Sequence, residues 1–277
     1  MCRATSARST PERAPPRPAD DAPRRDTAAV ITVGVDLAAE AAGTAVAVIA
    51  WDDAHARVTA LILDAADADV VAAARLADKV GVDCPFGWPT GFVRLVGEHE
   101  GGLLAPPASS GRDWRRSLTM RVTDRHVHAL TGLTPLSVSA DRIGHAALRW
   151  AAIAATLGAA GLDVRRDGSG LLAEVYPAAA LRHWQLPHRG YKGSANREVR
   201  NRLVDSLLAT APWLDLGQQA GLCRTSDHAL DAVVCALIAR AVALHQTDPA
   251  GPHQQVAAVE GWIHVPTAPL EALVRFP

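Results

Sequence analysis

The chain has 277 residues, of which 49% are hydrophobic, and its formal net charge is -1 at pH 7. This length allows one large domain or two small ones, and the hydrophobic fraction is ample for a core. The near-neutral charge excludes a protein that is basic over its whole surface, as simple duplex-binding proteins are.

Cysteine usage and apolar runs bear on the cellular compartment. The four cysteines are scattered without a CxxC pair, which argues against a disulfide framework or a structural zinc site and indicates the cytoplasm. No run of about 18 apolar residues is free of charge, so we expect no membrane span. Residues 1–27 are rich in Pro and Arg and lack the apolar centre of a secretory signal. We predict a disordered tail over residues 1–27 and a single domain over residues 28–277.

The first predicted elements are two antiparallel strands with a short connection. Residues 30–35 form an apolar run that ends at Asp36, and residues 44–50 form a second apolar run. Gly34 and Gly43 favour a close backbone approach and a tight turn. Burying an ionised carboxylate costs several kcal/mol unless it is paired or coordinates a metal. Asp36 is therefore the first candidate functional residue.

The rest of the chain alternates between strand and helix patterns. Further strands are predicted at residues 57–64, 80–83 and 171–176, and helices at 65–79, 118–130, 143–157, 178–186, 196–209 and 226–245. Residues 98–112 are rich in Gly, Pro and Ser and are expected to form a mobile loop. The last helix has the clearest helical period, with Ser226 as its N-cap. This order predicts an α/β sheet flanked by helices.

Acidic residues interrupt or flank several of these apolar elements. Asp36 and Asp83 end strands, Glu174 lies within a strand, and Asp231 follows Asp227 by one turn on the last helix. Ligands of open α/β sheets gather at the carboxyl ends of strands, and clustered carboxylates suit Mg²⁺ or Mn²⁺. Two such ions can cleave a phosphodiester. We predict catalytic roles for Asp36, Asp83, Glu174 and Asp231, and metal ligands at Asp36, Glu174, Asp227 and Asp231.

Each acid also has a purely structural interpretation. The two strand-end aspartates are compatible with turn or cap residues, and Glu174 with a partner of an arginine such as Arg182. Asp227 is compatible with a residue that stabilises the start of a helix, because the helix dipole favours an anion there. Asp231 is compatible with an acid at the border of the core. The four together favour a site, because each lies where burial is costly.

Three basic residues are candidates for binding substrate phosphate. Arg121 in the RVTD segment has the geometry to bind phosphate through two hydrogen bonds, although it could instead pair with Asp124. Lys192 and Arg197 belong to a local basic stretch, which also contains Arg200. That stretch is compatible with a solvated face or with a clamp on substrate phosphate.

Seven short motifs occur in a fixed order: GVDLA at residues 34–38, VDCPFGWP at 82–89, RVTD at 121–124, AEVYPAA at 173–179, YKG at 191–193, DHALDAVVCAL at 227–237 and EGWI at 260–263. In these motifs the chain resembles the DUF429 family of predicted nucleases. The resemblance implies a ribonuclease H-like fold, whose mixed five-stranded sheet has the order 3-2-1-4-5, with the first three strands antiparallel and with helical insertions. It also implies functional acids on the first strand, a later strand and the last helix, which here are Asp36, Glu174 and Asp231.

Our leading hypothesis is a metal-dependent nuclease or other phosphodiesterase that uses Mg²⁺ or Mn²⁺ and acts on nucleic acid or a phosphorylated small molecule. A nucleotide-binding phosphotransferase of the actin and sugar-kinase type also begins with a strand, an aspartate and a hairpin. It usually needs two such domains, and no GxxxxGK[ST] loop is present. A non-catalytic ribonuclease H-like scaffold is the third hypothesis, with Trp88, Trp114 or Trp184 as candidate anchors for a partner.

Overall fold

The structure is a computed structural model, and it describes Met1 and residues 29–274. The predicted disordered tail, apart from Met1, lies outside the described residues, as do residues 275–277. Within the described part of the chain, no helix is long and apolar enough to cross a membrane.

The described residues form one mixed sheet of seven strands in the order β6-β3-β2-β1-β4-β5-β7. The strands are β1 (Val30–Asp36), β2 (Ala45–Trp51), β3 (Ala56–Leu63), β4 (Lys79–Asp83), β5 (Leu172–Val175), β6 (Leu214–Asp215) and β7 (Ile263–His264). β1 pairs antiparallel with β2, and β2 with β3, whereas the other neighbours are parallel. The five predicted strands stand in the predicted order. The sheet itself is larger than predicted, because β6 and β7 extend it at its two edges.

Ten α-helices flank the sheet in the described part of the chain. They are α1 (Asp67–Ala74), α2 (Thr90–Glu100), α3 (Arg112–Thr119), α4 (Val122–Thr131), α5 (Ile143–Ala159), α6 (Pro177–His183), α7 (Arg197–Thr210), α8 (Ala220–Thr225), α9 (Asp227–Ala243) and α10 (Gln254–Glu260). Short 3-10 helices occur at Ser194–Asn196, Gly217–Gln219, Gly251–His253 and Leu270–Leu273.

Several helix predictions differ from the structure at their ends. The predicted helix over residues 65–79 is only α1, because Asp78 accepts a hydrogen bond from the backbone N of Ile31 and Lys79 already begins β4. The predicted helix over residues 118–130 is interrupted, because Met120 is extended between α3 and α4. The predicted loop over residues 98–112 is shorter, since its first residues end α2 and its last residue begins α3.

The sheet carries a hydrophobic core on each face. On one face, helices α6 to α9 pack on the sheet through side chains such as Leu203 and Leu237. On the other face, α1 and α5 pack through side chains such as Val70 and Trp150. Every residue from 229 to 242 of α9 is buried, so this helix lies inside the domain rather than on its surface.

Two glycines in neighbouring strands allow α9 to lie directly on the sheet. A Cβ atom on Gly34 would lie 2.0 Å from the carbonyl oxygen of Ala232, and one on Gly81 would lie 2.5 Å from the carbonyl oxygen of Cys235. Any larger residue would push the helix away from the sheet. The close approach predicted from Gly34 is therefore confirmed, and it fixes the position of α9 relative to the ends of β1 and β4.

Candidate active site

A cavity opens where the parallel strands end, and it is lined by three of the predicted acids. β1 ends at Asp36 and β4 ends at Asp83, and the register places these residues side by side. Glu174 lies beside Val82 one strand further along. All three acids line a cavity of about 330 Å³. Because adjacent strands are about 5 Å apart, the sheet brings together acids that are distant in the sequence.

The first two turns of α9 add a histidine and a further aspartate to these strand ends. Nδ1 of His228 lies 2.7 Å from Oδ2 of Asp36, and this hydrogen bond raises the pKa of His228. Asp231 is 1% exposed, and its Oδ1 accepts a hydrogen bond of 2.8 Å from the hydroxyl of Tyr191. Both α9 residues reach the strand ends because α9 lies so close to the sheet.

Lys192 supplies a positive charge to the aspartates. Its Nζ lies 2.6 Å from Oδ2 of Asp231, yet that oxygen accepts no hydrogen bond of normal geometry. Desolvation acts to lower the pKa of Lys192, but Asp231, Asp83 and Asp36 together raise it. The side chain is 56% exposed, although its ammonium pairs with the buried carboxylate of Asp231.

The carboxylates carry more negative charge than Lys192 can compensate. Burial raises the pKa of Asp83 well above its usual value, and Asp36, Asp231 and Glu174 raise it further, against the effect of Lys192. Burial raises the pKa of Asp231 to about 6, although Lys192 acts to lower it. Carboxylates that are disfavoured by burial and by one another are stabilised by an additional cation. The raised pKa values therefore mean that a proton or a further cation stabilises these buried carboxylates.

Glu174 has a different environment, because Arg121 binds both of its oxygens. The two guanidinium nitrogens Nη1 and Nη2 donate to Glu174 over 2.8 Å and 2.6 Å. Arg121 also pairs with Asp124 over 2.8 Å, and the backbone N of Phe86 donates to Glu174. The structural alternative for Arg121, pairing with Asp124, is the arrangement observed, and the arginine partner of Glu174 is Arg121 rather than Arg182.

The remaining predicted site residues lie around the segment that carries Lys192. Oδ2 of Asp227 accepts a hydrogen bond from the backbone N of Gly193 over 3.2 Å. Arg200 is buried and donates to the carbonyl oxygens of Tyr191 and Gly193. Arg197 is exposed at the start of α7, outside the described lining of the cavity. Asp227 and Arg200 therefore hold the Lys192 segment in place rather than facing the cavity.

Oxygen donors are present, but the acids are not arranged as a metal site. Among the residues that the structure describes, no group of three or more His, Cys, Asp or Glu side chains could hold a metal ion as placed. The ammonium of Lys192 instead pairs with Asp231. The metal ligands therefore stay a prediction, and any divalent ion would have to replace the ammonium.

A family model matches residues 34–255 of the chain, and its description is a protein of unknown function, DUF429. The chain belongs to the DUF429 family. The matched part includes each acid of the candidate site from Asp36 to Asp231, and the resemblance in the sequence motifs is thereby confirmed as family membership. Comparison with curated proteins and with solved structures gave no match.

Sequence reasoning missed three residues that shape the site of this DUF429 protein. Tyr191 and His228 bind Asp231 and Asp36, and Glu260 is a buried acid that accepts hydrogen bonds from the backbone N atoms of Thr90 and Val122. Each lies within a motif that carried the resemblance. Buried partners of strand-end acids could have been sought among the polar residues of those motifs, but their pairing depends on contacts between distant segments.

Proposed function

We propose that this DUF429 protein is a metal-dependent phosphodiesterase with a ribonuclease H-like fold, and that its substrate is a nucleic acid. The central strands support this fold, because β3-β2-β1-β4-β5 has the order and the antiparallel first half that the resemblance implies. The observation that carries the proposal is the gathering of Asp36, Asp83 and Glu174 at one cavity at the carboxyl ends of the strands, with the Asp231–Lys192 ion pair beside them.

The chemistry of these donors suits a hard divalent cation, although the side chains would have to move from their present positions to bind one together. Carboxylate oxygens are the ligands that Mg²⁺ and Mn²⁺ prefer, and the buried Oδ2 of Asp231 accepts no hydrogen bond of normal geometry. Asp36, Asp83 and Asp231 would hold the ion. We leave Glu174 out of this set because Arg121 and the backbone N of Phe86 already occupy its oxygens.

The residues around the cavity would bind and orient a phosphodiester. A bound divalent cation would supply activation of water and stabilisation of the leaving oxygen. Lys192 carries a positive charge at the cavity for a phosphate oxygen. Tyr176 also lines the cavity, and burial raises its pKa, so its phenol stays protonated and can donate a hydrogen bond. His228 holds Oδ2 of Asp36 and so fixes one rotamer of that carboxylate.

The function can be tested with labelled oligonucleotides and single aspartate substitutions. Single-stranded and double-stranded DNA, single-stranded RNA and an RNA–DNA hybrid are incubated with the protein in Mg²⁺ or Mn²⁺. We expect cleavage of at least one substrate, and we expect Asp36→Asn to lower the rate by about 100-fold or more because a charged ligand is lost. Asp53→Asn is the control, because Asp53 is exposed far from the cavity lining.

The asparagine variant has nearly the same shape as the wild type, so its circular dichroism spectrum and melting temperature show whether it is folded. A folded Asp36→Asn protein that cleaves as fast as the wild type would disprove the proposal. Cleavage that is equal with and without a chelator would also disprove it.

A further inference from the structure

The ammonium of Lys192 contacts one of the carboxylates that the proposed metal ion requires. Its Nζ lies 2.6 Å from Oδ2 of Asp231, and Asp83 and Asp36 add electrostatic attraction from further away. Asp231 is one of the three carboxylates that would hold the ion. An ammonium and a divalent cation repel each other, and both would need the same oxygen of Asp231, so they cannot bind it together.

The backbone of the Lys192 segment is fixed, whereas the side chain is not. Tyr191 is buried and bonded to Asp231 through its hydroxyl. Arg200 donates to the carbonyl oxygens on both sides of Lys192, and Asp227 accepts from the backbone N of Gly193. The Lys192 side chain, in contrast, is 56% exposed. Its ammonium can therefore leave the aspartates by rotation of the side chain alone.

We infer that Lys192 is a resident counter-ion of the metal site, which the divalent cation displaces toward the phosphate of the substrate. This inference rests on the proposed function. Without a metal, the ammonium compensates the charge of the aspartates. When the metal binds, the ammonium loses these partners, and a phosphodiester in the cavity provides a new one. Binding of the metal ion therefore raises the affinity for nucleic acid, and binding of nucleic acid raises the affinity for the metal ion, because each ligand makes the displacement of the ammonium less unfavourable for the other.

The coupling has a consequence for the affinity of the free protein. Because Lys192 competes for the carboxylates, the protein alone binds a divalent cation weakly, and the substrate strengthens that binding. Replacing Lys192 by an uncharged residue removes the group that competes with the metal ion, and it also removes the partner of the substrate phosphate. Such a variant therefore binds the metal ion more tightly than the wild type when no substrate is present. Its affinity for the metal ion rises little further when substrate is added.

Calorimetric titration of Mn²⁺ into the wild type, three lysine or arginine variants and Asp36→Asn tests the inference. Lys192→Met removes the charge and keeps much of the side-chain volume, and Lys192→Arg keeps the charge. Arg202→Met is the control, because Arg202 is an exposed cation on α7 that pairs with Glu198 over 2.6 Å. Each titration is repeated with a single-stranded phosphorothioate oligonucleotide that resists cleavage. Melting temperatures confirm that each variant is folded.

We expect Lys192→Met to bind Mn²⁺ about 10-fold more tightly than the wild type, whereas Lys192→Arg and Arg202→Met bind it as the wild type does. The oligonucleotide raises the affinity of the wild type by about 10-fold and that of Lys192→Met by much less. Equal or weaker Mn²⁺ binding by Lys192→Met, with binding still lost in Asp36→Asn, overturns the inference and leaves the proposed function intact. No Mn²⁺ binding by any variant, with or without oligonucleotide, overturns both.

Discussion

At the scale of single residues, the least expected feature is a buried arginine shared by two buried acids. Arg121, Asp124 and Glu174 are 1%, 0% and 2% exposed. The guanidinium group donates to both carboxylates, and it also donates to the carbonyl oxygen of Glu260. A buried charge of this kind is tolerated only when its partners have good geometry. The cluster therefore joins β5, α4 and the end of α10 beside the cavity.

We expect Arg121→Met to lower the free energy of unfolding by about 3–5 kcal/mol, because it leaves two buried carboxylates without their cation. Urea denaturation followed by circular dichroism measures this change. Arg57→Met is the matched control, since the pair of Arg57 with Asp215 is largely exposed, and its loss should cost less than about 1 kcal/mol. If the two variants lose similar amounts, the buried cluster does not stabilise the fold.

At the scale of elements, the position of α9 on β1 and β4 decides where the site forms. The helix carries His228 and Asp231, whereas the strands end at Asp36 and Asp83. Ser226 caps the helix by accepting a hydrogen bond from the backbone N of Ala229, as the sequence predicts. The strand glycines set how closely the helix approaches. A change at these glycines should therefore affect both stability and the carboxylate cluster.

We expect Gly34→Ala to lower the free energy of unfolding by about 3 kcal/mol or more, because the new methyl group would overlap with backbone atoms of α9. Gly97→Ala is the control. Gly97 lies within α2, and nothing lies within 4 Å of the position of its added methyl group. This control should be neutral or more stable by up to about 1 kcal/mol. Thermal unfolding measures both, and equal melting temperatures for the two variants would contradict the close packing of α9.

The long strands and α9 could be predicted because their apolar periods are clear over many residues. β6 and β7 could not, because each has two residues and forms only where a neighbouring strand offers hydrogen-bonding groups. α2 was missed because its TGFVRLVGEHE sequence contains two glycines and has no buried residue. Short or exposed elements depend on their surroundings more than on local propensity.

The acids of the site could be predicted one by one, but their partners could not. An aspartate at the end of an apolar run is visible in the sequence, as Asp36 and Asp83 are. The pairing of Glu174 with Arg121 and of Asp231 with Lys192 joins segments that are far apart in the chain. Nothing in local pattern distinguishes Lys192, which reaches the acids, from Arg197, which is exposed.

At the scale of the whole molecule, buried ionisable groups in the edge strand β7 and in α9 affect stability in opposite directions as the pH falls. Burial and the nearby Lys79 lower the pKa of His264 to about 4, against the opposing effects of Asp167 and Asp248. In the unfolded chain His264 therefore binds a proton more readily than it does in the native state. Burial raises the pKa of Asp231 to about 6, so there the native state binds the proton more readily.

The sign for His264 follows from these two proton affinities. Below its unfolded pKa of about 6.5, His264 favours the unfolded state, and this loss of stability grows until the native group also binds a proton near a pKa of about 4. We expect protonation of His264 in the unfolded chain to lower the free energy of unfolding by about 2 kcal/mol as the pH falls from about 7 to about 5. Urea denaturation of the wild type and His264→Gln at both pH values measures it.

The comparison uses the difference between the two pH values within each protein, because His264→Gln also loses contacts with Thr247 and Asp167. Those losses lower its stability at both pH values alike. On acidification, the free energy of unfolding of the variant should fall by about 2 kcal/mol less than that of the wild type. The same loss in both proteins would show that His264 does not titrate in this range. Asp231→Asn should change the pH dependence in the opposite direction.

The order of the site residues along the chain also matters during protein synthesis. Asp36 and Asp83 are made early, whereas Lys192 and Asp231 are made only after most of the sheet and its first helices. A nascent or truncated chain that ends after α5 therefore carries two strand-end aspartates but neither the helix that completes the cluster nor the lysine that compensates it. If the protein has the nuclease activity proposed above, such an order keeps unfinished chains inactive while they remain beside the messenger RNA.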